Sequence, residues 1–535
     1  MPPVTGKLPI GIQTLREIRQ DGYLYVDKTR HLLEMVTQGK AYFLSRPRRF
    51  GKSLFLDTLK EVFEGNQALF PGLHIHDNWD WRQTYPVIKL DFTAGHVASR
   101  AALDLRIRQL LAENQQRLGL ARQEADNDIP GCFSQLIQGA HEHFGQPVVI
   151  LVDEYDKPIL DNIEDPVIAA GQRDGLKNLY SVMKAQDAHI RFVFMTGVSK
   201  FSKVSLFSGI NQLRDISLSA QYATLCGYTQ QDLETTFADR LSGVDWGELK
   251  RWYNGYGFLG ETVYNPFDIL LFISEGHSYR NYWFETGSPS FLIKLFQRER
   301  YFLPELEELE VTEEILDSFD VEHIDPVTLL FQAGYLTVKG IRTHMMRQTF
   351  RLGVPNQEVR LALNDQFINA YTGLTRAKLG IQGRIHASLV KGDMEGLVAA
   401  IRRLFAGIPW RNFTNNDLVE SEGYYASVLY AFFASLNAEV IPEDIGNQGQ
   451  VDLTIKLEGW IYVIEIKLER GADPTPTGEN AALSQIQARG YSAKYRGLPK
   501  HGLFEVGLVF SGQARNLSRA DWVVVRGDWR RPCPS

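Results

Sequence analysis

Cysteine is scarce in this chain, and the few that occur are widely separated. The 535 residues contain three cysteines, Cys132, Cys226 and Cys533, which show neither the spacing of a disulfide framework nor that of paired metal ligands. A reducing compartment fits this usage best. We therefore expect a cytoplasmic protein.

Long apolar runs and a strong charge of one sign are also lacking. No apolar stretch approaches the roughly 18 residues that span a bilayer, and the first residues lack the apolar core of a signal peptide. We expect no membrane partner. The net charge is -7, with 44% hydrophobic and 23% charged residues, which is ordinary for a globular protein. A nucleic-acid-binding surface would therefore have to be local.

A basic loop that closes on Gly51, Lys52 and Ser53 is the first chemical feature. The apolar run 41–45 predicts a strand before the loop, and leucines at helical spacing over 54–63 predict a helix after it. Such a loop points backbone N–H groups and a helix N-terminus at one place, which suits a phosphate group. Lys52 would reach the β- and γ-phosphates, and the Ser53 hydroxyl would ligate Mg²⁺.

Arginines replace part of the expected glycine pattern in this loop. Arg46 stands where G-x-x-x-x-G-K-[ST] has its first glycine, and Arg48 and Arg49 follow. We count Arg48, Arg49, Phe50 and Gly51 among the nucleotide-binding residues. The alternative is a basic surface loop that merely caps a helix.

A second strand carries two acids at its carboxyl end. Residues 148–152 are all aliphatic, which is typical of a strand buried on both faces of a parallel sheet, and Asp153 and Glu154 follow directly. Open α/β sheets bind ligands at this end of their strands. Asp153 is predicted to hold Mg²⁺ through its water shell, and Glu154 to polarise the attacking water. Alternatively, the two acids only open a turn.

A third predicted strand, 190–195, ends at Thr196. Its hydroxyl would lie at the same sheet edge, where a group that senses the γ-phosphate is placed, so Thr196 is a further candidate nucleotide contact. A threonine at a strand end can equally be structural.

These segments resemble the prokaryotic AAA-ATPase-like family. The resemblance covers roughly residues 8–285 and implies a P-loop fold that binds ATP. In that family arginine at position 46 is usual. The matching motifs are residues 42–53, 153–158, 196–201, 252–256 and 264–266.

Residues 286–410 carry weaker signals. A helix turns into a strand over 329–337, and 350–356 reads as the return strand, which suits a small winged-helix-like lid. Basic residues do not cluster there, so we expect packing on the ATPase domain more than DNA binding. The glutamates from 305 to 314 are interpreted as a solvated helix face.

A second chemical constellation occurs near the C-terminus. Glu465 and Lys467 share one face of the predicted strand 461–467, and Asp452 lies on the neighbouring strand. Burying either charge unpaired is costly, and a metal site supplies a reason. Asp452 and Glu465 would bind Mg²⁺, while Lys467 orients a water or stabilises developing charge. The alternative is a Glu–Lys pair in a twisted sheet with Asp452 at a turn.

The order of these residues resembles the PD-(D/E)xK nuclease superfamily over about 411–515. That resemblance adds Glu422 to the candidate catalytic set. The family often shows Gly-Arg before the aspartate, whereas Gln450 and Val451 precede it here, which removes a positive charge near the metal. The matching residues are Glu422, Asp452, Glu465, Lys467, Gln485 and Tyr491.

The sequence thus predicts an α/β protein with three domains, an ATPase domain over 1–285, a lid with connecting helices over 286–410 and a nuclease-like domain over 411–535. The predicted function is ATP binding and hydrolysis coupled to Mg²⁺-dependent cleavage of nucleic acid. DNA is favoured over RNA as the partner, and homo-oligomerisation is open. One alternative is a nucleotide-switched regulatory or scaffold protein that binds nucleic acid without cutting it. Another is an ATPase with an inert C-terminal fold.

Overall fold

The chain folds into two compact units in a computed structural model. The first comprises Met1–Ser288 and Glu310–Glu358, and the second Pro289–Leu309 and Val359–Ser535. The predicted middle domain, 286–410, is therefore divided between them, and the three-domain division remains a prediction. The described residues are 6–121, 128–200, 213–283, 303–307, 309–317, 325–344, 347–374, 377–409, 421–436, 438–469 and 478–525.

A five-stranded parallel sheet forms the centre of the first unit, as the sequence predicts. Its strand order is β2-β3-β4-β1-β5. All six residues of β3 are buried, because helices cover both faces of a parallel sheet. The strands are β1 (Ala41–Ser45), β2 (Val87–Asp91), β3 (Val148–Asp153), β4 (Ile190–Gly197) and β5 (Arg214–Asp215).

Several helices of this unit begin at side-chain caps. Ser99, Asp128 and Asp165 each accept a hydrogen bond from a backbone N–H of the first turn, and Thr229 forms a capping box with Asp232. The helices are α1 (Leu15–Gln20), α2 (Thr29–Gln38), α3 (Lys52–Phe63), α4 (Arg100–Arg117), α5 (Ile129–Phe144), α6 (Lys157–Leu160), α7 (Pro166–Ala185), α8 (Gln230–Thr236), α9 (Trp246–Tyr253) and α10 (Pro266–Ser274).

A small three-stranded sheet with two short helices follows in the chain. Its order is β6-β8-β7, and β7 and β8 form an antiparallel hairpin, which agrees with the predicted winged-helix-like pattern. The predicted helix face over 305–314 is wrong in part, since residues 309–312 form a strand that pairs with β8. The elements are β6 (Leu309–Thr312), α11 (Glu313–Asp317), α12 (Pro326–Ala333), β7 (Thr337–His344) and β8 (Arg347–Gly353).

The second unit contains a mixed sheet of order β13-β12-β11-β10-β9. The pair β11 and β12 is parallel, and the other pairs are antiparallel. The strands are β9 (Glu439–Gly446), β10 (Gly449–Leu457), β11 (Trp460–Glu469), β12 (Gly502–Ser511) and β13 (Asn516–Val525).

Helix α17 lies in the crossover from β11 to β12, and α16 is buried from Tyr424 to its end. Within the described ranges, no helix is long and apolar enough to cross a membrane. The helices are α13 (Gln357–Thr372), which begins at the boundary of the units, α14 (Lys378–Lys391), α15 (Met394–Ala406), α16 (Glu422–Ala434) and α17 (Ala481–Arg489).

Candidate functional sites

The loop between β1 and α3 has the backbone of a phosphate-binding turn. Gly51 caps α3 in the left-handed conformation, with φ 90°, and Arg49 also has a positive φ of 70°. Glycine is the residue that adopts this conformation without steric cost, which explains Gly51 directly before the helix. The first turn of α3 therefore begins with Lys52 and Ser53.

Lys52 is held inside the loop by carbonyl oxygens. Its Nζ donates to the carbonyl oxygens of Arg46 and Pro47 at 3.0 and 3.1 Å and lies 3.8 Å from Glu154 Oε1. The Lys52 side chain is 4% exposed. An ammonium at this position can exchange a neutral carbonyl for a phosphate oxygen without a change in the fold.

Arg46 turns away from the loop into the interior. Its guanidinium donates to the carbonyl oxygens of Ser217 and Tyr222 at 2.7 and 3.2 Å and lies 3.7 Å from the ring centre of Phe258. Burial lowers the pKa of Arg46 to about 10. Arginine can thus replace the first glycine of the motif because its side chain leaves the mouth of the loop open.

The other predicted loop residues divide into two kinds. Arg48 and Arg49 are exposed and line a cleft, and the Arg49 guanidinium lies 4.6 Å from the ring centre of Phe267. Phe50 is buried and packs edge-on against Tyr256, with ring centres 4.7 Å apart. The Phe50 side chain is thus part of the core, which leaves its backbone to meet a nucleotide.

Asp153 and Ser53 bring two oxygens together beneath the loop. Asp153 is 1% exposed and forms a side-chain hydrogen bond with Ser53. Burial raises the pKa of Asp153 to about 6, and the neighbouring Glu154 and Asp91 add to this. A buried carboxylate beside a hydroxyl is an oxygen donor set that suits Mg²⁺.

Glu154 has a strained backbone. Its φ is 50°, a left-handed conformation that costs a non-glycine residue on the order of 1–3 kcal/mol. This turn places its carboxylate at the cleft, beside Lys52. The predicted base is therefore next to the predicted phosphate ligand.

Thr196 is enclosed at the end of β4. This strand lies between β1 and β3, with Leu44 opposite Thr196 and Val152 opposite Met195. Thr196 is fully buried, and among the described residues its Oγ1 has no hydrogen-bond partner. An orphaned hydroxyl between the two key strands is consistent with a polar ligand at this edge.

The cleft lined by Lys52, Ser53 and Glu154 has a volume of about 380 Å³. Asp153 and Thr196 are buried and are not among its lining residues. Its walls are the loop, residues 9–13 and the start of α10. A smaller pocket of about 70 Å³ adjoins it and is lined by residues 24–26 and 225–228. Leu24, Tyr25, Val26 and Lys28 of the segment 22–29 contribute to this pocket. Residues 9–13 were missed, because nothing in their sequence marks a contact with a loop about forty residues away.

The second unit brings Asp452, Glu465 and Lys467 together. Glu465 is 2% exposed, and its Oε1 accepts from Lys467 Nζ at 3.1 Å and from Gln485. Asp452 Oδ2 accepts from the backbone N–H of Ile466 at 2.6 Å. The predicted strand face is thus present, with Gln485 on α17 above it.

Glu422 lies at the rim of this group. It is the first residue of α16, its Oε1 accepts from Leu468 N at 3.2 Å, and its Oε2 lies 3.9 Å from Lys467 Nζ. Tyr491 follows the end of α17, and its hydroxyl lies 3.5 Å from Gln485 Nε2. A β-carbon on Gly449 would lie 3.0 Å from that hydroxyl, and the φ of 134° at this position also favours glycine.

The two carboxylates fit a divalent cation. Burial first, and Asp452 second, raise the pKa of Glu465 to about 7, and burial raises the pKa of Asp452 to about 6. Glu465 Oε2 is buried and has no hydrogen-bond partner in the described part of the chain. No set of three His, Cys, Asp or Glu side chains there is arranged as a metal centre. Water and a substrate phosphate would have to complete the shell, which Mg²⁺ accepts readily.

Comparison with known proteins matches both halves of the chain. Residues 9–207 match the model of a predicted AAA-ATPase family, and residues 420–520 match the PD-(D/E)XK nuclease superfamily. An uncharacterized protein in the vnfD 5' region of Azotobacter chroococcum mcd 1 is 46% identical over 514 residues. The match covers 96% of this chain and 98% of that protein.

Proposed function

The chain belongs to the predicted AAA-ATPase family, with a PD-(D/E)XK nuclease superfamily domain behind the ATPase domain, and from this premise we propose that it hydrolyses ATP and cleaves nucleic acid. DNA is the favoured substrate over RNA. We place this activity in the cytoplasm. The proposed function allows the protein to act as a homo-oligomer.

The convergence of Lys52, Ser53 and Glu154 at one cleft, with Asp153 hydrogen-bonded to Ser53 behind it, carries the ATPase proposal. Lys52 provides the cation for the β- and γ-phosphates, and the loop N–H groups and the exposed Arg48 and Arg49 surround the same charge. Glu154 accepts the proton of the attacking water as general base. Thr196, whose hydroxyl has no hydrogen-bond partner in the described part of the chain, would donate to a γ-phosphate oxygen.

Mg²⁺ would be held by Ser53 and Asp153 in the first unit and by Asp452 and Glu465 in the second. When bound, it neutralises phosphate charge and lowers the pKa of water. Both sites offer hard oxygen ligands, as this cation requires.

The second site is proposed to cleave phosphodiester bonds. Lys467 lies 3.1 Å from Glu465, so its ammonium is placed to stabilise charge on a phosphate that approaches both carboxylates. Gln485 holds Glu465 in position through its amide, and Glu422 occupies the open side of the group. Substrate enters from this open side, since Lys467 and Glu422 are the more exposed members.

One experiment tests both activities in the full-length protein. Purified protein is incubated with single- and double-stranded DNA and RNA, with and without ATP and Mg²⁺, while phosphate release and strand cleavage are both measured. We expect Mg²⁺-dependent phosphate release and Mg²⁺-dependent cleavage of DNA. Binding of nucleic acid without cleavage under any metal or nucleotide condition would instead support a nucleotide-switched scaffold.

A further inference from the structure

We propose that Asp156 is a positioning residue for ATP hydrolysis, because it joins the ends of β3 and β4 and thereby places Glu154 and Thr196 together. This inference rests on the ATPase function proposed above and adds a residue that does not itself face the nucleotide cleft. Asp156 is fully buried, two residues after Glu154.

The Asp156 carboxylate accepts hydrogen bonds from the segment that follows Thr196. Its Oδ2 accepts from the backbone N–H groups of Val198 and Ser199 at 3.1 and 2.6 Å, and also from Ser199 Oγ. Charge-assisted bonds to backbone N–H groups are about twice as strong as neutral ones. A single side chain thus connects the loops after two neighbouring strands.

Tyr155 reinforces the same connection. Its backbone N–H donates to the Thr196 carbonyl at 3.1 Å, and its hydroxyl donates to the Ser199 carbonyl at 3.1 Å. A β-carbon on Gly197 would lie 2.4 Å from Asp156 Oδ1 and 2.6 Å from the Tyr155 ring. The close approach of the two loops therefore requires glycine at position 197.

The segment after Thr196 is joined to the phosphate-binding loop as well. Ser45 Oγ donates to the Val198 carbonyl, and the Arg46 N–H donates to the Gly197 carbonyl at 3.2 Å. The loop that carries Lys52, the sensor strand and the acidic turn are thus connected by hydrogen bonds. The left-handed conformation of Glu154 needs such support, since strain of this kind persists only where its surroundings fix it.

Loss of the Asp156 hydrogen bonds should affect ATP hydrolysis separately from ATP binding. The groups that grip the phosphates, Lys52 and the loop N–H groups, do not depend on Asp156 for their contacts. Water attack depends on where Glu154 lies, and a displacement of about 1 Å can lower a rate by about 100-fold. Loss of the Asp156 bonds should therefore lower kcat more than affinity.

The test is Asp156→Asn in the full-length protein, with ATP affinity measured by calorimetry and turnover by phosphate release. Asparagine keeps the shape but opposes one backbone N–H with its own NH₂ group. We expect ATP affinity within about threefold of the wild type and kcat lower by about 10- to 100-fold. The matched control is Asp165→Asn, which caps α7 on the surface and should change neither quantity.

A second measurement separates positioning from general structural damage. In a Glu154→Gln background, Asp156→Asn should lower kcat by less than about threefold, because both changes act on the same group. A full multiplicative loss there would overturn the proposal. Ser199→Ala removes the hydrogen bond from Ser199 Oγ to Asp156 and should give a smaller loss of kcat at unchanged ATP affinity. This variant tests the proposal if Asp156→Asn does not fold. Wild-type-like kcat in Asp156→Asn and Ser199→Ala overturns the proposal, whereas a wild type that never hydrolyses ATP overturns the function itself.

Discussion

Lys52 is the residue on which ATP binding should depend most. Its ammonium contacts two loop carbonyls and Glu154, so truncation removes the point charge for the phosphates while the apolar core around α3 is untouched. We expect Lys52→Ala to abolish ATP binding or turnover with the fold intact. Calorimetric titration with ATP and a thermal unfolding scan measure the two quantities.

Lys60 offers the matched control for that variant. It lies on the same helix, is partly buried and pairs with Glu64 at 3.0 Å, away from the cleft. Lys60→Ala should bind and hydrolyse ATP like the wild type. Unchanged hydrolysis in Lys52→Ala would disprove the phosphate-binding assignment of the loop.

Glu154 is expected to activate the attacking water and not to contribute to ATP binding. Its carboxylate lies at the cleft next to Lys52, and Gln at this position keeps the size but cannot accept a proton. Glu154→Gln should bind ATP normally and hydrolyse it more slowly by about 100-fold or more. If affinity and turnover fall by the same factor, Glu154 has a binding role and the assignment as base is wrong.

The sequence could place Lys52, Ser53, Asp153 and Glu154 together, because each lies at or beyond the carboxyl end of a strand and parallel strands end at one edge of the sheet. It could not show that Arg46 turns inward. The carbonyls that receive its guanidinium belong to Ser217 and Tyr222, far along the chain. Residue type alone does not encode the direction of a side chain.

Among the elements, α10 connects the cleft to a buried acid pair. Pro266 and Phe267 at its start line the cleft, while Asp268 is fully buried against Glu358, whose Oε1 accepts from Trp283 N at 2.9 Å. Burial raises the pKa of Glu358 to about 7 and raises that of Asp268 well above its usual value. The pair therefore retains protons in the folded state.

The raised pKa values of this pair predict that the free energy of unfolding falls as pH rises. Both acids ionise near pH 4 in the unfolded chain, so their contribution is fully present below that pH and is lost as pH rises through about 7. Each retained proton changes the free energy of unfolding by about 1.4 kcal/mol per pH unit. Glu358→Gln should flatten the decline between pH 5.5 and 8, measured by urea unfolding.

The control for this variant is Glu313→Gln, which replaces an exposed acid on α11 and should leave the pH profile unchanged. Identical pH slopes in the wild type and Glu358→Gln would contradict the prediction. Comparison of slopes is needed because Asp153 and Asp156 also have raised pKa values and contribute in the same direction.

The sequence predicted the elements best where one pattern ran without interruption. The aliphatic run of β3 and the helical spacing of α3 gave the correct elements, since burial imposes those periods. The short strand β6 was missed because Leu309–Thr312 lies in an acidic stretch and becomes a strand only by pairing with β8. Pairing partners distant in sequence are not visible in a local pattern.

On the scale of the whole molecule, each candidate site lies within one unit and at one sheet. Residues 310–358 return to the first unit after 289–309 have joined the second. The residues of the two sites could be grouped from sequence because the first motif lies at strand ends and the second lies on two strands that are adjacent in the chain. The points at which the chain passes from one unit to the other could not be predicted, because no change in amino-acid composition marks them.

The nuclease prediction involves both units of the chain, because cleavage by the second unit is measured with and without ATP, which the first unit is proposed to bind. Asp452 and Glu465 offer oxygen ligands, so Asp452→Ala or Glu465→Ala should raise the Mg²⁺ requirement or end cleavage. An ammonium cannot ligate a cation. Lys467→Ala should therefore leave the Mg²⁺ dependence nearly unchanged and lower the cleavage rate. Rates of strand cleavage over a Mg²⁺ titration separate these signatures.

Lys456 is the matched control for Lys467. Both side chains are 31% exposed and both pair with a glutamate, but Lys456 contacts Glu439 on β9, away from Glu465. Lys456→Ala should cut like the wild type, because its pair lies near the surface and contributes at most about 1 kcal/mol to stability. If the Asp452, Glu465 and Lys467 variants all cut as well as Lys456→Ala, cleavage belongs to another site or to a contaminant. A Mg²⁺ titration that shifts for the two carboxylate variants and not for Lys467→Ala would assign metal binding and charge stabilisation to separate residues of one site.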